Sequence, residues 1–211
     1  MPRYCCIIGV WVLVAMMHSV RNLRMTLTNN EQHPQMRSVN DGSITTGQEQ
    51  VQFEKIADLA GQLGQLLISR NWRITTAESC TGGLIAGAMT DVSGSSSWFE
   101  QGVVTYSNRA KQNLLGVPSS VFDEHGAVSE ACVLSMASGA LRTSGADIAV
   151  SVSGVAGPGG GSAQKPVGTV WLAWAWGESV EAQRFLFDGQ RDEVRMQAVV
   201  RALHGSIQRL E

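Results

Sequence analysis

The sequence is poor in cysteine, in charge and above all in lysine. Its four cysteines, Cys5, Cys6, Cys80 and Cys132, are too few and too scattered for a disulfide scaffold. No CxxC pair and no HExxH occurs, which argues against a structural zinc site or a zincin. GxSxG is missing, so there is no nucleophile elbow. Gly-Lys-Ser/Thr and GxGxxG are missing too, so neither a Walker A loop nor a dinucleotide fingerprint is present. Charged residues make up 16% of the chain, against a usual ~25%. With 18 acidic and 16 basic residues the net charge is −2, a poor balance for a nucleic-acid binder that relies on a broad cationic face. What is there is apolar: 44% of the 211 residues, enough to bury a core in one domain plus an appendage.

The appendage is residues 1–50. Cys5 to Met17 is one apolar run behind Arg3, too short for a spanning helix, which needs about 20 apolar residues. From Met25 to Gln50 the composition turns to Asn, Gln, Thr, Ser and Gly, which reads as a disordered linker. Three readings of this leader stand open. It is an over-long gene-start assignment with initiation at Met25 or Met36, a weak membrane-association segment at residues 5–17, or a cleaved secretory signal.

The domain is residues 51–211. Phe53, Ile56, Ala60, Leu63 and Leu67 recur at helical spacing over Val51–Arg70. A short strand follows at Arg73–Ala77, then a helix over Thr81–Val92 opened by two glycines. Gly102–Tyr106 reads as a strand, and Asn108–Leu115 as a helix with Ser107 as N-cap. Ser129 caps a further helix that ends at Gly145, and Asp147–Ser153 is strand-like. After a Gly/Pro loop, Thr169–Trp176 and Val180–Phe187 form a hairpin, and Asp188 caps a last helix from about 190 to 209. Alternating β and α segments imply an α/β fold, a three-layer α/β/α sandwich with a mixed, mostly parallel sheet of about five strands.

In such a sheet, ligands bind beyond the carboxyl ends of parallel strands. Three loops hold the unusual residues. In Thr76-Ala77-Glu78-Ser79-Cys80-Thr81-Gly82-Gly83, hydroxyls and free N–H groups gather at a helix start, a place suited to a phosphate or an oxyanion. Ser79 is a candidate nucleophile and Thr81 its rival; the plainer alternative is a helix cap with packing glycines. In Tyr106-Ser107-Asn108-Arg109-Ala110-Lys111, the lysine is one of three in the chain. Burial can lower a lysine's pKa until it acts as a base, which arginine cannot do. Tyr106 can hold it or relay a proton, and a solvated lysine is the alternative. The run from Ser153 through Gly154, Gly157, Gly159 and Gly160 to Ser162 brings backbone N–H groups close to a ligand, or is a linker. His125 and His204 are poorly placed for a Ser-His-Asp triad, which favours a Ser-Lys arrangement. Arg191, with Arg195 one turn on, can meet a phosphate or face solvent.

The segments TAESCTGG, GSSSWFEQGVVTYSNRAKQNLLGV, GAVSE, SVSGVAGPGGGS and KPVGTVW, in that order, resemble the C-terminal domain of the CinA family across roughly residues 51–209. The residue after Pro158, often acidic in the family, is Gly159 here. The resemblance implies hydrolysis of the carboxamide of nicotinamide mononucleotide (NMN), feeding pyridine-nucleotide salvage. It implies Ser79, Lys111 and Tyr106 as catalytic residues. As substrate contacts it implies Glu78, Thr81, Gly82, Gly83 and Asn108 on the first two loops, and Gly154, Gly157, Gly159, Gly160 and Arg191 beyond them. It implies no metal, no cofactor, no nucleic-acid partner, a homodimer and a cytoplasmic location. The rival function is a non-catalytic nucleotide-binding module of the same family.

Overall fold

The computed structural model describes residues 47–211, with side chains from residue 55 onward. The leader readings for residues 1–46 lie outside the described residues. The linker reading does not extend to residues 47–50, which already belong to helix α1, Gly47–Arg70. Gln48, Glu49 and Gln50 are good helix formers, and nothing there breaks the helix. Ile56, Ala60, Leu63 and Leu67 form its buried stripe. Asn71, at φ +54°, ends it in the left-handed region that Asn tolerates.

The elements that follow are β1 (Ile74–Glu78), α2 (Leu84–Thr90), β2 (Phe99–Val104), α3 (Asn108–Leu115), α4 (Ser119–Glu124), α5 (Glu130–Ser144), β3 (Ile148–Gly154), β4 (Thr169–Trp176), β5 (Ser179–Leu186) and α6 (Arg191–Gln208). The five strands form one sheet in the order β2-β1-β3-β4-β5. β1 runs parallel to both β2 and β3, while β4 is antiparallel to β3 and β5. This is the mixed five-stranded sandwich expected from the sequence.

The pleat sorts side chains between two helix layers. Ile74 of β1, Ile148, Val150 and Val152 of β3, and Val170, Leu172 and Trp174 of β4 share one core with α1, α2 and α6. Ala77, Ala149, Ala173 and Ala175 share the other with Leu115, Cys132, Val133 and Met136 of α3 and α5. In β1 and β3 the face toward α5 carries the small residues Thr75, Ala77, Ala149 and Ser151, and α5 packs against it. Ser151, on that face, donates to the Val133 carbonyl of α5 at 2.7 Å.

Several boundaries differ from expectation, and three of the differences have a clear local reason. α2 starts at Leu84, not Thr81, because Gly82 and Gly83 take φ of +63° and +100° and hold residues 81–83 in a turn. β2 spans Phe99–Val104, not Gly102–Tyr106, since its pairing with β1 begins at Phe99 opposite Ile74 and ends at Val104 opposite Glu78. The N-cap of α6 is Gln190, not Asp188, because Glu193 reaches back to the Gln190 amide at 2.6 Å in a capping box. Helix α4 has no counterpart among the elements read from the sequence; His125 is its C-cap. Among the described residues, no helix is long and apolar enough to cross a membrane.

Candidate active site

β1 and β3 are parallel neighbours, and their carboxyl ends lie level, with Glu78 paired to Val152. The Ser79 amide extends the ladder by one bond, donating to the Val152 carbonyl at 3.1 Å. Position 79 has the parity of Ala77 and so faces the α3–α5 layer. Position 78 faces α2.

Lys111 approaches Ser79 from α3. Ser107 caps that helix, its Oγ accepting from the Ala110 amide at 3.1 Å, as the sequence suggested. Lys111 is 1% exposed, so the solvated alternative for it does not hold. Its Nζ lies 3.0 Å from Ser79 Oγ, 2.7 Å from the Thr105 carbonyl and 3.3 Å from the Tyr106 carbonyl. A neutral amine has two N–H groups and one lone pair. Two carbonyls can only accept, so they take the two N–H groups, and the lone pair is left for the Ser79 hydroxyl proton.

Burial holds the Lys111 ammonium below its ordinary pKa. Thiolates at Cys132 or Cys80 would oppose this, but burial pushes each thiol up to about 11, so both are neutral at pH 7. Both cysteines are free and buried. None of the ion pairs among the described residues involves Lys111. Among those residues no carboxylate stands beside the amine to offset the ammonium's lost hydration.

Glu78 is 1% exposed and spends its carboxylate on the chain itself. It accepts from the amides of Gly83, Ile85 and Ala86 at 2.9, 3.1 and 2.8 Å, and from the Thr81 hydroxyl at 2.6 Å. It is the cap of α2, which leaves no lone pair turned to a ligand. The substrate-contact role expected for Glu78 is therefore replaced by a capping role. Thr81 Oγ1, the rival nucleophile, is fully buried against that carboxylate. The Gly82 amide donates to the Ser79 carbonyl at 3.1 Å, and the Gly83 amide goes to Glu78. Neither is free for an anion. Those of Cys80 and Thr81 have no backbone acceptor among the described residues.

α6 closes the other side. Arg195 Nε donates to the Cys80 carbonyl at 3.1 Å and Nη2 to the Thr81 carbonyl at 2.8 Å, so this arginine clamps the serine loop. Arg191 Nη1 donates to the Gly157 carbonyl at 2.8 Å, and Nη2 lies 3.3 Å from the Tyr106 hydroxyl. The Tyr106 side chain is exposed, and its phenol meets Arg191, not Lys111; only its carbonyl touches the amine.

Between these groups lies a pocket of about 210 Å³, lined by Ser79, Lys111, Tyr106, Ser153, Gly154 and Arg191 among others. That is below the usual range for a whole drug-sized ligand and suits a small head group with the rest of the molecule outside. Asn108, Gly159 and Gly160 are exposed and do not line it. Among the described residues no cluster of three or more His, Cys, Asp or Glu is placed to hold a metal ion.

The sequence pointed to Ser153 only as the start of the glycine loop and to Arg195 only as a cation for a phosphate; the Ser153 hydroxyl in the pocket and the Arg195 clamp on the serine loop go beyond that. The pleat carried a signal for Ser153: it is odd-numbered on β3, like Ser79 beyond β1. Nothing in the sequence alone pairs Arg195 with the carbonyls of residues 80 and 81.

Fold and pocket together define a three-layer α/β/α protein with a ligand site beyond the carboxyl ends of its parallel strands. Residues 56–210 match the CinA C-terminal domain, and the chain belongs to that family. It is 56% identical over 156 residues to a nicotinamide-nucleotide amidohydrolase PncC of Pseudomonas putida, covering 74% of this chain and 98% of that one. It is 52% identical over 155 residues to the protein of the same name from Enterobacter agglomerans, covering 73% and 94%. The crystal structure of a competence damage-inducible protein A from Klebsiella pneumoniae superposes with a TM-score of 0.72 at 44% identity, covering 74% and 96%.

Proposed function

We propose that this chain hydrolyses the carboxamide of NMN to nicotinate mononucleotide and ammonia, with Ser79 as nucleophile and Lys111 as general base. The observation that carries the reading is the Lys111 amine, buried without a carboxylate and 3.0 Å from Ser79 Oγ in the pocket. The names of the relatives support the amide and the nucleotide.

The Ser79 hydroxyl gives its proton to Lys111 as Oγ bonds to the amide carbon. The carbonyl π pair moves onto oxygen, and the amides of Cys80 and Thr81, which have no backbone acceptor among the described residues, donate to that oxyanion. The C–N bond then breaks as the Lys111 ammonium protonates the leaving nitrogen, and ammonia departs. Water, giving a proton to Lys111, attacks the acyl-serine; Lys111 returns that proton to Oγ as the acid leaves. Every proton removed is returned, and one water is consumed per ammonia released. Arg191, held at the mouth by Gly157, offers its charge to the nucleotide phosphate. On this reading the protein works as a cytoplasmic homodimer in pyridine-nucleotide salvage.

Ammonia release from NMN by the full chain tests the reading, with Ser79→Ala, Thr81→Ala and Lys111→Ala in parallel. Ser79→Ala and Lys111→Ala are each expected to lose about 10³-fold or more in turnover. A Ser79→Ala protein with near-full turnover refutes the nucleophile assignment. Wild type that binds NMN without releasing ammonia is the non-catalytic module instead.

A further inference from the structure

Ser153 is the penultimate residue of β3, one beyond Val152 and level with Ser79 across the parallel pair. Adjacent strands are about 4.8 Å apart, and both serines have the parity that faces the α3–α5 layer. Ser153 is 2% exposed and lines the same pocket as Ser79 and Lys111. Its Oγ donates to the Ala127 carbonyl at 2.7 Å. A carbonyl can only accept, so the single hydroxyl proton is committed there, and both lone pairs remain for a ligand. Toward the pocket this hydroxyl is an acceptor and nothing else.

We propose that Ser153 separates the amide substrate from the acid product, an inference that rests on the amidase reading above. The –NH2 of a carboxamide offers two N–H groups, and one of them meets the Ser153 lone pairs. The product is a carboxylate at neutral pH and has acceptors only. It sets an oxygen against an oxygen that has no proton to turn toward it. A buried site built for a donor rejects the analogue that lacks it, because the acceptor loses its partner on binding. The device draws the substrate in by the bond about to be broken and weakens its hold once that nitrogen has gone.

The test compares KM for NMN with the inhibition constant of nicotinate mononucleotide, in full-length wild type and Ser153→Ala. In wild type, acid inhibition is expected about tenfold or more above KM. In Ser153→Ala, KM rises, the acid binds more tightly, and the ratio of the two constants falls about tenfold. A mere loosening of the pocket weakens both ligands together and leaves the ratio where it was, which overturns the proposal. Wild type that binds the acid as tightly as the amide also overturns it, and this arm stands even where the variant does not fold. If wild type releases no ammonia from NMN, the amidase reading fails and Ser153 falls with it. Turnover with an unchanged ratio removes only Ser153.

Discussion

Glu78 ends β1 and Ser79 follows it, yet their side chains turn to opposite faces of the sheet. One carboxylate ties off the start of α2, and one hydroxyl meets the Lys111 amine. The pleat thus puts a rigid anchor directly behind the candidate nucleophile. Replacing Glu78 by Gln keeps the shape but turns one acceptor oxygen into a donor facing amide N–H groups. The expected cost is about 3 kcal/mol of unfolding free energy, since bonds to a buried charge are lost and donors are stranded. Urea unfolding of Glu78→Gln reads this directly. A loss within about 0.5 kcal/mol, the range of an ordinary surface change, would show that the cap is not needed.

Burial of Lys111 makes two pH predictions with one cause. The base must be neutral to accept the seryl proton. kcat/KM therefore rises with pH and levels off above the lowered pKa of Lys111, below the ~10.4 of a free lysine. Lys111→Arg, charged at every pH in the range, is expected to be inactive across the whole profile. Stability follows by linkage. Between the lowered pKa and ~10.4, the unfolded chain holds a proton that the folded chain has released, so unfolding free energy rises with pH there. Below the lowered pKa both states are protonated, and the burial cost is felt in full. The difference in Tm between wild type and Lys111→Met should therefore shift in favour of wild type as pH increases. A pH-independent difference would mean that the amine titrates normally.

How much of this was visible beforehand follows from how local each signal is. Helix α3 and strand β4 appear with the boundaries read from sequence, because Ser107 caps the one and Gly177 terminates the other. Helix α4 was missed because Pro118-Ser119-Ser120 resembles a turn, and six residues are too few to show a period. The nearness of Ser79 and Lys111 was inferred from strand–loop–helix order, which constrains loops to one edge of the sheet. The role of Glu78 was misread because chemistry-bearing residues in a loop look alike until the pleat assigns each a face. The Arg195 clamp spans 114 positions and leaves no local trace.

Two arginines one turn apart on α6 should separate kinetically. Arg191 lines the pocket, held by the Gly157 carbonyl and the Tyr106 hydroxyl, whereas Arg195 is spent on the Cys80 and Thr81 carbonyls. Arg191→Ala is expected to raise KM for NMN about tenfold while changing KM for nicotinamide riboside, which has no phosphate, far less. Arg195→Ala loosens the serine loop and should lower kcat for both substrates alike. Steady-state kinetics on the two substrates distinguish these outcomes. Equal sensitivity of both substrates to Arg191→Ala would remove the phosphate from its role.

The last prediction concerns how α3 is held against α5. A methyl group on Gly139 of α5 would strike the Leu115 carbonyl at the end of α3, a backbone atom with no freedom to swing aside. The two helices must then part, and α3 carries Lys111 with it. Overpacking of this kind costs about 1–3 kcal/mol. The catalytic cost should exceed what partial unfolding explains, because a displacement near 1 Å between reacting groups can lower a rate about 10²-fold. Gly87 in α2 is the matched control: a methyl group there meets nothing within 4 Å, and a helical Gly→Ala change gains about 0.5–1 kcal/mol. Urea unfolding and kcat measured on Gly139→Ala and Gly87→Ala should move in opposite directions for stability, with turnover lost only in the first. Full turnover in a destabilised Gly139→Ala protein would mean that the amine reaches the serine without help from this contact.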